Sequence, residues 1–471
     1  MDRRTFLISA GASAGVIALV GTRGDKVAAL PVNRPAGLAL DPTTVTKYVD
    51  ELPRPGIMPK TSILADGIDY YEISVRQTTQ TLLPSSMGLN TTVWGYGNAA
   101  NQASNRMISD TIVTTSGVPA RIKWINGLVD ANGRYLPHLL PVDPTLHWAN
   151  PAGPVDSTPV FATTPSAYTG PVPVVTHVHG AHVGPESDGY AESWYLPNAN
   201  NIPAGYSTKG SKYDQYDRSN TTPGSAVFHY PNDQRATFLW YHDHTLGLTR
   251  LNVYAGPAGA YLVTGGNQDM PAGSLPSGAF DVPLVIQDRT FSADGSLFYP
   301  DTRALFDGWT GPYIPASPVP PIWQPEYFAN TMLVNAKAWP RLSAEPRRYR
   351  FRILNGCGSR TLRLKLVTTD PSGLDATVQQ APEIPFTVVG TDQGFLPAPV
   401  TQGEILATPA ERFDCVVDFS AYAGRTIYLV NEGPDEPYGG GVAGVDQVIA
   451  DSATTRQVML SLIHISEPTR R

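Results

Sequence analysis

Between Arg348 and Asn355 the chain alternates with a period of two. Tyr349, Phe351 and Ile353 fall on one side, and Arg348, Arg350 and Arg352 on the other. Successive side chains of an extended strand point to opposite faces, so this stretch predicts a β-strand with one buried face. Short apolar runs of the same kind recur at 172–179, 237–244, 259–263, 282–287, 349–354, 386–389, 413–419 and 426–430. Turn-forming residues separate them, and no long amphipathic helical period stands out. The pattern predicts an all-β protein built of antiparallel sandwiches. One block is expected over about 40–265 and a second over about 275–450, with the seam at Gly265-Gly266 through Pro276-Ser277-Gly278. The polar stretch 211–222 is expected to be a surface loop.

Composition agrees with that picture. The 44 prolines and 43 glycines among 471 residues suit many short strands and turn-rich loops, and this length suits two to three domains. Net charge is −7 with no basic run or basic–aromatic stripe, which argues against a nucleic-acid partner. Arg3 and Arg4 stand directly before a small, apolar stretch that ends at Val20. Residues 1–30 therefore resemble a twin-arginine export signal, so a periplasmic or extracellular location is expected, with no membrane attachment after signal removal. Only two cysteines occur, too few for a disulfide framework. Strand alternation puts Cys415 on one face with Phe413, Val417 and Phe419, and Cys357 falls in a turn; both read as unpaired structural residues. The end of the chain, 461–471, starts like a further strand and then turns into a string unlike a folded segment. It is expected to be an artefactual tail of the gene record.

Four of the nine histidines form two His-x-His pairs, His177-Val178-His179 and His242-Asp243-His244, each closing an apolar run. Residues i and i+2 of a strand share a face and stand about 6.6–7 Å apart, so each pair projects two imidazoles in parallel while Val178 and Asp243 face away. Two such pairs on neighbouring strands make a four-imidazole patch able to grip more than one metal ion. Imidazole suits copper, zinc, iron and nickel alike, so the residues alone leave the metal open.

The context of these pairs carries a family resemblance. His177 through Tyr190 (His-Val-His-Gly-Ala-His-Val-Gly-Pro-Glu-Ser-Asp-Gly-Tyr) resembles the first copper motif of multicopper oxidases. Trp240-Tyr241-His242-Asp243-His244, continuing to Gly256, resembles the second. Leu333-Val334-Asn335, Trp339-Pro340, Pro346 through Arg352 and Pro409 through Asp414 are similar to the family's second domain, and the likeness runs over about 40–435. The nearest branch is that of bacterial spore-coat laccases, bilirubin oxidases and phenoxazinone synthases. The resemblance implies tandem cupredoxin-like Greek-key β-sandwiches and copper as cofactor. It implies that His177 binds a type 2 copper and that His179, His242 and His244 bind a type 3 pair. Asp188 then matches a carboxylate lying near the cluster, and reads either as a proton donor to bound oxygen, with Glu186 a weaker candidate, or as a turn-former in Ser187-Asp188-Gly189. The partners implied are dioxygen and a small reducing substrate: a phenol, an aromatic amine or a tetrapyrrole.

Other histidines carry less. His182 reads either as hydrogen-bonding near the cluster or as a loop residue; His138, His147 and His229 read as ordinary loop residues, and His464 belongs to the tail. The family's third domain, with its remaining cluster histidines and its type 1 site, has no counterpart here. No His-x-x-His-x-His follows residue 244 and no His-Cys-His occurs. The sequence is therefore expected to be a truncated record, without blue colour or oxidase turnover as it stands. A non-catalytic copper-binding or coat-type structural protein is the alternative. A nitrite-reductase-like enzyme would need a type 1 cysteine, and a cuprous oxidase would show methionine-rich insertions rather than seven scattered methionines.

Overall fold

The computed structural model describes residues 39–144, 146–153, 167–216, 222–301 and 326–465. The leader expected over 1–30 and residues 466–471 lie outside the described residues.

The first group of strands comprises β1 (Ser62–Ile63), β2 (Asp69–Gln80), β3 (Thr91–Asn98), β4 (Ser109–Thr115) and β5 (Ala120–Asn126). It continues through β6 (Thr176–His179), β7 (Ser225–Tyr230), β8 (Thr237–Asp243) and β9 (Ala258–Thr264). Two short helices interrupt it, α1 (Tyr213–Tyr216) and α2 (Thr249–Ala255). The second group opens with β10 (Asp281–Phe291), β11 (Leu297–Phe298), β12 (Thr331–Val334), β13 (Lys337–Ala338) and β14 (Arg341–Ala344). Then come β15 (Arg348–Asn355), β16 (Leu362–Val367), β17 (Phe386–Thr391), β18 (Gly394–Gln402) and β19 (Ile405–Ala407). The last strands are β20 (Arg412–Asp418), β21 (Thr426–Asn431) and β22 (Gln457–Ile463).

Among the described residues no sheet mixes the two groups. The first makes a sheet β1-β2-β5-β7, with β3 beside β2, and a sheet β4-β9-β8-β6. The second makes β13-β12-β10-β15-β20-β17-β18, with β11 beside β10, and β14-β22-β21-β16-β19. These are two all-β, cupredoxin-like Greek-key sandwiches. The pairing is mixed rather than purely antiparallel. Each sheet contains one parallel pair: β2 with β5, β4 with β9, β10 with β15 and β14 with β22. Parallel neighbours cannot be joined by a hairpin, so crossover connections bring these non-consecutive strands together, and alternation within one strand carries no sign of that.

Other local expectations are adjusted by backbone chemistry. Of 172–179 only Thr176–His179 joins the ladder. Pro173 has no N–H to give to a ladder, and Val174 makes only an isolated bridge to Tyr195. The stretch 211–222 contains α1 rather than loop alone. Tyr213 is buried there, donates its hydroxyl to the Ser225 carbonyl and packs edge-on against Tyr195. Before the first strand, the chain hydrogen-bonds along the second sandwich, from Leu40 to Phe291 (2.8 Å), Tyr48 to Trp339 (2.9 Å) and Leu52 to Arg341 (2.7 Å). Residues 461–463 complete β22, which lies between β14 and β21.

The two faces of β8 decide where the site lies. Leu239 and Tyr241 enter the core of the first sandwich with Trp94, Trp124 and Val178. Phe238 and Trp240 point the other way and join the core of the second sandwich, which includes Phe351, Cys415, Val417 and Phe419. His242 shares the face of Phe238 and Trp240, so the histidines stand at the end of the seam between sandwiches. Cys357 and Cys415 are both buried and unpaired. Among the described residues no helix is long and apolar enough to cross a membrane.

Candidate metal centre

β6 and β8 are antiparallel neighbours, with His177 directly opposite His242 and His179 opposite Trp240. This register brings both His-x-His pairs to one patch. Ring centroids are 5.6 Å apart for His177 and His179, 5.5 Å for His177 and His242, and 5.1 Å for His177 and His244. One ring nitrogen from each of His177, His179 and His242 lies within 4.8 Å of the others. Nε2 of His242 is 3.4 Å from Nδ1 of His179. Two imidazole nitrogens on one tetrahedral ion, at bonds of about 2.0 Å, would stand about 3.3 Å apart, so this pair is spaced to share an ion.

Backbone carbonyls fix which nitrogens are free. His177 donates its Nδ1–H to the Asp188 carbonyl (2.5 Å), and His242 donates its Nδ1–H to the Asp243 carbonyl (2.7 Å). Both rings therefore turn a lone pair on Nε2 toward the cluster. Nδ1 of His244 is buried with no hydrogen-bond partner among the described residues. Burial holds His179 down to about 4, helped by the nearby Arg412 charge. Burial also depresses His242 well below the ordinary imidazole value and lowers His244. These rings are neutral at pH 7, which is the form that binds metal. A half-buried patch of imidazoles, three of them held neutral and one with an orphaned nitrogen, is costly by itself and fits a bound metal ion.

Asp188 sits at the rim. Its carboxylate Oδ1 is 3.3 Å from His177 Nδ1, and its side chain is 47% exposed. The hydrogen bond from His177 holds it below its usual carboxylate range. The loop is drawn in tightly by Gly189 at φ +75°, where a Cβ would meet the Thr176 carbonyl at 2.1 Å. Glu186 is exposed.

Three supports were not singled out by sequence reading. Asp243 does face away from the cluster, but it is 1% exposed and fully engaged. It accepts from the N–H groups of Val175 (3.1 Å) and Thr245 (3.0 Å), the Thr245 hydroxyl (2.9 Å) and the Asn252 amide (2.8 Å). Trp240 lies with its ring centroid 4.1 Å from that of His242 and 5.7 Å from that of His179, walling the patch. Arg412 comes from the second sandwich, and its Nη2 sits 2.7 Å from where a Cβ on Gly180 would be. The remaining histidines lie elsewhere. His182 is exposed and paired with Asp233 at 2.8 Å, away from the cluster. His229 is on β7 rather than in a loop, and its N–H donates to Ser187 Oγ (2.9 Å). His138 is packed against Trp94 and bonded to Asn252.

Known proteins share this arrangement's sequence frame. The laccase of Bacillus subtilis (strain 168) is 34% identical over 393 residues, covering 82% of this chain and 62% of its own length. The chain is similar to laccases and other multicopper oxidases over most of its own length. Among them, the multicopper oxidase LPR1 homolog 1 of Oryza sativa subsp. japonica is 36% identical over 414 residues, covering 85% of this chain and 57% of its own. The chain thus spans about three fifths of the length of the curated relatives it matches. A solved variant of the multicopper oxidase McoA from Aquifex aeolicus superposes with a TM-score of 0.56 at 23% identity, over 88% of this chain and 65% of that one, and shares the fold. No family model matches the chain.

Proposed function

We propose that this chain holds copper through His177, His179, His242 and His244 and contributes that half-site to an oxidase. The reaction couples one-electron oxidation of phenols, aromatic amines or a tetrapyrrole to reduction of dioxygen to water. The observation that carries this reading is the opposed pairing of the two His-x-His motifs across β6 and β8. Likeness to laccases and other multicopper oxidases supports copper over the other metals that imidazole accepts. His177 is assigned to a type 2 ion, and His179, His242 and His244 to a type 3 pair. Copper held there would supply the electron transfers that reduce dioxygen.

The chain's own residues prepare the site. Carbonyls of Asp188 and Asp243 orient His177 and His242, while Trp240 and the second sandwich exclude water from one side. Asp188 is assigned to proton delivery. Its half-exposed carboxylate bridges solvent and the cluster rim, the position such a role needs. Export by the twin-arginine route, resting on Arg3 and Arg4, belongs to the same reading.

The test is a Cu(II) titration of the chain followed by electron paramagnetic resonance, with each of the four histidines changed singly to alanine. Uptake that falls at least tenfold in the His177, His179 and His242 variants supports the reading. Copper uptake indifferent to all four changes overturns it and leaves a structural protein. In an enzyme with turnover, Asp188→Asn should slow oxygen consumption while leaving copper content unchanged.

A further inference from the structure

The Asp243 carboxylate joins the two histidine strands. Its Oδ2 accepts from Val175 N–H, two residues before His177, while its main chain ends β8 between His242 and His244. The Val175 carbonyl in turn accepts the His244 N–H at 2.8 Å. The spacing of the two histidine pairs therefore depends on how this carboxylate is held.

Asn252 of α2, wholly buried, holds it. The Asn252 amide donates to Asp243 Oδ1 (2.8 Å) and to the Pro173 carbonyl (3.2 Å). An amide turned the other way would present its oxygen to these two acceptors. His138 settles the orientation. The Leu140 N–H donates to His138 Nδ1 (2.9 Å), which leaves the ring proton on Nε2, and that proton is donated to Asn252 Oδ1 (3.1 Å). The chain from His138 through Asn252 to Asp243 thus has one direction of donation throughout.

We propose that His138 and Asn252 are positioning residues for the histidine cluster, locking the Asp243 carboxylate that spaces His177 from His242 and His244. This rests on the copper-binding reading. The experiment uses the full chain with Cu(II) as probe, reading affinity by competition titration, the cupric resonance spectrum, and thermal unfolding of the metal-free protein. His138→Phe keeps a ring against Trp94 and removes the donor; His138→Gln restores one. We expect His138→Phe to bind copper about 10–100-fold more weakly with altered hyperfine splitting, and His138→Gln to recover most of the affinity. Asn252→Ser, smaller and unable to reach Asp243, carries the same expectation should the Phe variant not fold. A folded His138→Phe or Asn252→Ser with parental affinity and spectrum overturns the proposal, whatever its melting temperature. A parent chain that takes up no copper overturns the copper-binding reading, and this proposal with it.

Discussion

Arg412 of the second sandwich donates its Nε–H to the main-chain carbonyl of Phe238 in the first, at 3.2 Å. Phe238 lies four residues before His242 on the same strand, so a buried cation of one sandwich braces the histidine strand of the other. The guanidinium also donates to the carbonyls of Ala410 (3.0 Å) and Asp392 (3.1 Å) and pairs with the Asp392 carboxylate at 3.0 Å. It closes over Gly180, the residue after His179.

Gly180 should therefore tolerate no side chain. At φ +89° a Cβ would stand 2.7 Å from Arg412 Nη2 and 3.0 Å from Leu239 Cδ2. Gly180→Ala combines backbone strain with that clash, and a loss of about 1–3 kcal/mol is expected in urea unfolding. Arg412→Met strands the buried Phe238 carbonyl and two part-buried ones, and should lose about 1–3 kcal/mol. Parental stability in both variants would show that the contact across the seam carries no load.

Arg350 and Arg352 show where reading the sequence reached its limit. Their alternation with Tyr349, Phe351 and Ile353 was legible, as were the strand and its core face. The opposite face looked like solvent, yet both arginines are buried. They meet Asp281 and Asp414, with Arg352 bidentate on Asp281 at 2.8 Å twice and Arg350 on Asp414 at 2.7 Å. A periodic pattern shows that two faces differ, not what covers the second one. The same limit applies to the site. The His-x-His pairs were legible because i and i+2 share a face; Asp243, Asn252, Trp240 and Arg412 were not, because their roles arise from contacts between distant segments.

That arginine–carboxylate network gives a second expectation. Removing one partner from a buried ion pair leaves an uncompensated charge, so Arg352→Met should lose about 3 kcal/mol or more. Asp281→Leu should do the same. The double variant removes both charges and should lose less than the sum, with a coupling of at least about 1 kcal/mol in a double-mutant cycle by urea unfolding. Strict additivity would mean that the pair does not interact.

Trp240 offers an optical reading of the site. Its indole is the ring in closest contact with His242 among the aromatic neighbours of the cluster, and copper bound to that imidazole would lie within a few ångströms of it. Cu(II) should therefore quench part of the tryptophan emission, and Trp240→Phe should remove most of that quenchable part while retaining a stacked ring. Equal quenching in parent and variant would place the bound copper away from these histidines.

The pH dependence of the metal-free protein follows from the same burial. His138 and His179 are held to about 4, His242 well below its ordinary 6.5 and His244 below it, in each case chiefly by burial. In the unfolded chain these groups titrate near 6.5. As pH falls from about 6.5 toward 4, the unfolded chain takes up protons that the folded chain refuses, and stability is lost. Asp243 opposes this. Burial raises it from 3.8 to about 6, so its contribution is present at low pH and is lost as pH rises through about 6. Burial depresses four imidazoles and raises one carboxyl, so across this window the unfolded chain binds more protons than the folded one. Urea unfolding of the metal-free chain should therefore show stability falling as pH drops from 6.5 to 5. A flat profile across that window would mean that these imidazoles are not buried as neutral rings, and the case for a preformed metal site would go with it.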